Sequence, residues 1–250
     1  MRDVKRLVCL NLRAGGGGRA EALCDYLASL APDLVVLTEW RAGPAGEMFR
    51  AWAEARGLRH ATLNDGGTAN GVLIAARAPF KVTSVTPRTG ATGAIALARF
   101  AELSVLGCYF PSMKEKAPFF DAAIATALGH KRRAFLLLGD LNTGNQHADR
   151  EPAGVRYNCA DQFDAFTTDC RLTDLWRASN GQAREWSWLS HRRNGFRLDH
   201  AFANRAFVKA HVPHCVYDHT PRLTGLSDHS AVVIDLSEPV RHHPPAAPHP

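Results

Sequence analysis

Polar residues stand where the apolar runs of this sequence end. Asn11 interrupts "LVCLNLR", Glu39 follows "DLVVLT", and Asp140 and Asn142 follow "AFLLLG". Asp199 sits within "FRLDHAF", and Asp228 and His229 directly precede "SAVVIDL". Each of these, alone, reads as a turn former or strand-end cap. Together they form a set of Asp, Glu, Asn and His that contains no Cys. Hard carboxylate and amide oxygens favour Mg²⁺ or Mn²⁺ over structural zinc. Such a set can act only if several strand ends meet at one edge of a layered fold, where binding and catalytic groups collect.

The strands that must carry them read as short apolar runs separated by turn signals. They are "RLVCLNL", "DLVVLTEW", "NGVLIAAR", "ALARFAELSVLGCYF", "AFLLLGDLN", "FRLDHAFAN" and "SAVVIDL". "RAEALCDYLASL", "EMFRAWAEARG" and "PFFDAAIATALGHKRR" read as helices. Strand runs are too numerous for one small sheet. The economical layout is α/β, with two packed, mostly antiparallel sheets flanked by helices. One domain is expected over residues 1–237. The tail "EPVRHHPPAAPHP", 238–250, has no periodicity and is expected to be disordered, its histidines either inert or a weak metal site.

Composition narrows the class. A chain of 250 residues, 46% hydrophobic, can bury a core without disulfide staples. The six cysteines form no CxxC pair and several lie in apolar runs, so reduced thiols and a cytoplasmic location are expected. The apolar part of "MRDVKRLVCLNLRAGGGG" is too short for a signal peptide, and no later run reaches membrane-spanning length. A net charge of +6 permits a polyanionic partner without demanding one. Basic residues cluster at "HKRR" (130–133) and "SHRRNGFR" (190–197), which read as solvated faces or as phosphate contacts.

Seven blocks carry a family resemblance. "CLNLR", "PDLVVLTEW", "NGVLIAAR", "GCYFPS", "LLLGDLNTG", "RLDHAFAN" and "LSDHSAVVIDL" follow one another from near residue 7 to residue 236. In this order they resemble the endonuclease/exonuclease/phosphatase superfamily, which has the fold of DNase I. The resemblance implies a four-layer α/β sandwich and a metal-dependent phosphodiester hydrolase. "DLWR" at 174–177, "WSWL" at 186–189 and "NGFRLDHAFAN" are most similar to the exonuclease III / abasic-site endonuclease branch. That branch usually has Gln before the metal-binding Glu and Lys two residues after it, where this chain has Thr38 and Arg41. The block before "RLD" is also one residue shorter. These departures leave the chemistry intact and the preferred substrate open.

The resemblance also implies roles. Glu39 would bind Mg²⁺, which Mn²⁺ could replace, with Asn11 beside it and Asp228 as a further or water-mediated ligand. Asp140 would orient and deprotonate the attacking water, and Asn142 would donate an N–H to the developing charge. His229 would donate to a phosphate oxygen while Asp199 accepts from its other ring nitrogen. Tyr109 would hydrogen-bond the phosphate or Asp140; without the family it reads equally as a core tyrosine. Trp188, Phe196 and Leu198 match the wall of a pocket for a baseless sugar, although Trp186 and Trp188 read equally as strand core. Arg192, Arg193 and Arg197, beside that pocket, are candidate phosphate contacts. A monomer acting on duplex DNA, as abasic endonuclease or 3′-exonuclease, is the leading expectation. RNA, small or lipid phosphoesters, or a catalytically retired binding module are the alternatives.

Overall fold

The computed structural model describes residues 4–63 and 69–237, so the proposed disordered tail lies outside the described residues. The first half of the chain forms β1 (Arg6–Asn11), α1 (Ala20–Ser29), β2 (Leu34–Trp40), α2 (Pro44–Ala55), β3 (Arg59–Leu63) and β4 (Gly71–Ala76). Next come β5 (Lys81–Ser84), β6 (Ala94–Arg99), β7 (Leu103–Tyr109), α3 (Ala117–Gly129) and β8 (Ala134–Asp140). Then follow α4 (Ala160–Thr168), β9 (Thr173–Asp174), α5 (Leu175–Asn180), β10 (Trp188–Leu189) and β11 (Gly195–Phe196). The chain closes with β12 (Asp199–Ala203), α6 (Arg205–Ala210), β13 (Val212–Asp218), α7 (Thr220–Leu223) and β14 (Ala231–Ser237).

Two six-stranded sheets result, ordered β13-β14-β1-β2-β4-β3 and β5-β6-β7-β8-β12-β9, with β10 and β11 as a small separate pair. Each large sheet has one parallel neighbour pair, β1 with β2 and β7 with β8. The other neighbours are antiparallel, as expected.

Alternate side chains of a strand face opposite sides of its sheet. Leu7, Cys9, Val36, Ile74 and Ile234 of the first sheet share one buried cluster with Ala96, Val105, Leu136, Leu138 and Ala201 of the second. The intervening Val8, Leu10, Val35 and Leu37 pack instead with Leu23 and Leu27 of α1 and Phe49 and Trp52 of α2. On the far side Leu106, Cys108, Leu137 and Phe202 pack with Phe119 and Phe120 of α3 and Phe163 and Phe166 of α4. The order helix, sheet, sheet, helix is the four-layer sandwich. Burial of both strand faces is why these strands read as continuous apolar runs. The sheets approach closely at Gly107, where an added Cβ would lie 3.1–3.2 Å from Val36, Val72 and Ile74.

The elements missed by pattern reading are mostly marginal ones. β13, β3 and β5 are edge strands. In β13 only Cys215 and Tyr217 are buried, in alternation with polar or exposed residues, so no apolar run marks it. The run "ALARFAELSVLGCYF" divides into β6 and β7 at a turn in which Phe100 N–H donates to Leu103 O at 2.9 Å.

Candidate active site

The period of two that builds the inter-sheet core also builds the site. Leu7 and Cys9 lead on the same face to Asn11, and Leu136 and Leu138 to Asp140. Val105 leads through Gly107 to Tyr109, and Ala203 through Ala201 back to Asp199. Register aligns these ends, since Asp140 pairs with Tyr109 on one side and with Asp199 on the other. The seam between the sheets therefore turns from apolar to acidic at a single edge.

Glu39 reaches this edge by a local irregularity. The register between β2 and β4 shifts between Thr38 and Trp40, and Glu39 takes the left-handed φ of 54°. A bulge of this kind re-aims a side chain at the end of a strand. The amide of Asn11 then donates to Glu39 Oε1 at 3.2 Å and to Asp140 Oδ2 at 2.9 Å, and Ala14 N–H donates to Glu39 Oε2 at 2.6 Å. Asn142, also left-handed with φ 48°, donates its backbone N–H to Asp140 Oδ1 at 2.9 Å. Its side-chain amide donates to Phe110 O at 2.8 Å and, at longer range, to Asp140 Oδ2 at 3.5 Å.

Opposite them, His229 Nδ1 lies 2.7 Å from Asp199 Oδ2, with both side chains buried. Burial alone would lower the His229 pKa. The charge and hydrogen bond of Asp199, with Asp140 and Asp228 behind it, outweigh burial and raise it to about 10. The imidazole is thus a cation at neutral pH. Because Asp199 occupies Nδ1, Nε2 is the nitrogen left for a ligand. Burial, then the charge of Asp199, pushes the Asp140 carboxyl well above the usual carboxylate range, against the opposing pull of His229. Burial, followed by the charges of Glu39 and Asp140, likewise raises the Tyr109 phenol, which stays protonated.

Several positioning groups carry no catalytic signature and escaped pattern reading. Ser227 Oγ donates to Asn11 O at 2.6 Å and accepts from His229 N–H at 3.1 Å, tying the two halves of the site together. Ser187 Oγ accepts from the backbone N–H groups of Leu198 and Asp199 at 2.9 and 3.2 Å, while the Tyr217 hydroxyl donates to Asp199 O at 2.6 Å. The buried Lys116 ammonium donates to Asn142 O and to Thr143 Oγ1, the latter at 2.7 Å. Asn70 Nδ2 donates to the Tyr109 hydroxyl at 3.0 Å.

The expected pocket residues separate into different environments. Trp188 is half-buried, and its indole N–H donates to Asp228 Oδ2 at 3.2 Å. Phe196 and Leu198 are only 4% and 7% exposed. Phe196 lies between Tyr157 and Trp188, with 5.8 Å between ring centroids on each side, and an added Cβ at Gly154 would come within 2.7 Å of its ring. Arg192 and Arg193 are exposed on the turn between β10 and β11. Arg197 corrects the expectation of a phosphate contact. It is 1% exposed, donating to Asp149 at 2.7 and 3.0 Å and to Asp174 at 3.1 Å. A guanidinium spent on two buried carboxylates is a structural ion pair.

The donor set fits a hard divalent cation. Ligand atoms of Asp140 and Asp199 lie within 4.8 Å of each other, and Asp199 Oδ1 is buried with no hydrogen-bond partner, while the cationic His229 beside them is not a ligand. Glu39 extends this group with a further carboxylate, whereas Asn11 presents its NH₂ to Glu39 and Asp140 and accepts at Oδ1 from the Arg13 N–H at 2.8 Å. Burial first, and then the charge of Asp199, raises the Asp140 carboxyl, and a cation would offset that charge.

Fold and site together define a class, a two-sheet α/β hydrolase with carboxylates and a histidine gathered at the strand ends. The chain belongs to the Endonuclease/Exonuclease/phosphatase family, matched over residues 9–229, and is a hydrolytic enzyme of that type. No curated protein matches it. Among solved structures it is similar to the 3′ phosphatase NExo from Neisseria bound to a product DNA hairpin. There the TM-score is 0.80 at 20% identity, covering 93% of this chain and 99% of that one. The 3′-5′ exonuclease NExo from Neisseria meningitidis gives TM-score 0.78 at 21% identity, with 92% and 99% covered. An AP endonuclease from Archaeoglobus fulgidus gives 0.77 at 17% identity, with 93% and 99% covered. The expected superfamily and DNase I-like fold are borne out. No helix among the described residues is long and apolar enough to cross a membrane.

Proposed function

We propose that this enzyme is a Mg²⁺-dependent phosphodiesterase acting on duplex DNA, as an abasic-site endonuclease, a 3′-exonuclease or both. We read it as a cytoplasmic monomer. The observation that carries the reading is the buried His229–Asp199 pair set against the Asn11, Glu39 and Asp140 cluster.

In this reading Glu39 holds Mg²⁺, with Asn11 beside it and Asp228 as a further or water-mediated ligand, and Mn²⁺ as a substitute. Bound there, the ion supplies positive charge for the phosphoryl oxygens and the departing alkoxide. Asp140 orients a water for in-line attack and accepts its proton, a role that a raised carboxyl pKa suits. His229, kept cationic by Asp199, donates from Nε2 to a phosphate oxygen as a charge-assisted hydrogen bond. The side-chain amide of Asn142, which also reaches Asp140 Oδ2 at 3.5 Å, and the hydroxyl of Tyr109 add neutral donors. Half-buried Trp188 walls the sugar side, and exposed Arg192 and Arg193 meet the backbone.

DNA is favoured over other phosphoesters by the net charge of +6, and the structurally similar Neisseria and Archaeoglobus enzymes point the same way. The test offers purified protein with Mg²⁺ an abasic duplex, an intact duplex with a recessed 3′ end, single strands and RNA. Incision at the abasic site or shortening from the 3′ end, abolished by EDTA, is expected. Turnover confined to RNA or to small phosphoesters would overturn the DNA assignment.

A further inference from the structure

We infer that Asn70 is a positioning residue that sets the direction of the Tyr109 hydroxyl hydrogen, with Arg41 fixing the amide of Asn70 in turn. The inference rests on the reading above that Tyr109 meets the substrate phosphate.

The observation is a chain of polar contacts that crosses from one sheet to the other. Register pairs Trp40 of β2 with Gly71 of β4, which brings the next residues outward, Arg41 and Asn70, side by side. Arg41 Nε donates to Asn70 Oδ1 at 2.6 Å, and Asn70 Nδ2 donates to the Tyr109 hydroxyl oxygen at 3.0 Å. Donor chemistry fixes the sense of each link. A guanidinium has no acceptor, so the carbonyl end of Asn70 must face Arg41 and the NH₂ end must face Tyr109. The phenol oxygen therefore accepts from Asn70, and its own hydrogen is left for an acceptor on the site side. Burial, then the charges of Glu39 and Asp140 and a hydrogen bond with Glu39, keeps that phenol protonated. A phosphate oxygen entering beside them would find a donor already aimed, with no rotation to arrest at the moment of reaction.

The start of the chain of contacts is also held. An added Cβ at Gly15 would lie 3.0 Å from Arg41 Cβ, and Gly15 has φ +77°. The glycine-rich loop thus lies directly against Arg41, at the position where the branch resembled has Lys. Arg supplies a side-on Nε donor that a lysine lacks.

The experiment is a double-mutant cycle on Tyr109→Phe and Asn70→Leu, read as kcat and KM on the best DNA substrate. Asn70→Leu should lower kcat by about ten-fold or more with KM nearly unchanged. In the Tyr109→Phe background the same change should cost little more, because the hydroxyl it directs is gone. Asn70→Asp keeps the shape and a partner for Arg41, but its carboxylate captures the phenol hydrogen. It should fold with an unchanged Tm and lose more kcat than Asn70→Leu. Losses that multiply in the double mutant, or an Asn70→Asp enzyme as active as the parent, would overturn the inference. A Tyr109→Phe enzyme with full activity would instead remove the phosphate role of Tyr109, and with it the reading on which Asn70 depends.

Discussion

His229 Nδ1 and Asp199 Oδ2 stand 2.7 Å apart in a setting that excludes solvent from both. Burial opposes the charge on the imidazole and Asp199 more than restores it, so the His229 pKa rises to about 10. The sign follows directly. A raised pKa keeps His229 protonated at neutral pH, and activity that needs this proton is lost as pH climbs through about 10. Asp199→Asn should shift the alkaline limb of kcat to lower pH, by at least one unit. A pH–rate profile identical to that of the parent would refute the pairing as the source of the charge.

Asp140 makes the opposite prediction for the metal-free protein. Its carboxyl is raised by burial and by Asp199, so the folded state binds this proton more tightly than the unfolded chain does. Stability in EDTA should therefore fall as pH rises from about 4 to about 7. Asp140→Asn lacks the titrating group, so its Tm minus that of the parent should grow over the same range. At about 2–4 °C per kcal/mol for a chain of this size, scanning calorimetry resolves the change. Adding Mg²⁺ should raise the Tm of the parent and narrow the gap, and a gap independent of pH would contradict the buried-charge account.

Arg197 and its neighbours in sequence should behave as different classes. Arg197→Ala leaves Asp149 and Asp174 without their buried partner and should cost about 3–5 kcal/mol in urea unfolding. Arg192→Ala with Arg193→Ala removes exposed charges and should leave Tm within a degree or so. That double mutant should instead flatten the salt dependence of DNA binding, with kcat at saturation kept. Unaltered salt dependence would place the backbone contacts elsewhere.

Trp188 and Phe196 should part company as well. Phe196 is enclosed by Tyr157, Trp188 and the Gly154 turn, so Phe196→Ala should lower Tm and reduce abasic-site cleavage and hydrolysis of a small phosphodiester in parallel. Trp188 is half-buried and hydrogen-bonded to Asp228. Trp188→Phe should hurt abasic-site cleavage several-fold more than the small substrate. Equal losses on both substrates would make Trp188 part of the scaffold rather than of the pocket.

Sequence alone determined the sandwich and the identity of its acidic edge. Strands buried on both faces must be apolar throughout, so "LVCL", "DLVVL" and "AFLLL" announce themselves, and Asn11, Glu39, Asp140, Asp199 and His229 stand out as interruptions. What pairwise distance decides stayed hidden. The two arginines of "RRNGFR" nearest the exposed turn and the one inside it look alike in sequence, yet Arg197 is drawn inward by Asp149 and Asp174 from distant segments. Glu39 points at Asn11 because of a bulge that no residue in "LTEW" signals. Asn70, Ser187 and Ser227 are ordinary turn residues until packing of the two sheets brings Tyr109, Asp199 and His229 beside them. Edge strands such as β13, with one face buried, lack the continuous apolar signal altogether. Local pattern records which faces are buried, whereas hydrogen-bond partners far apart in the chain are chosen only when the layers close.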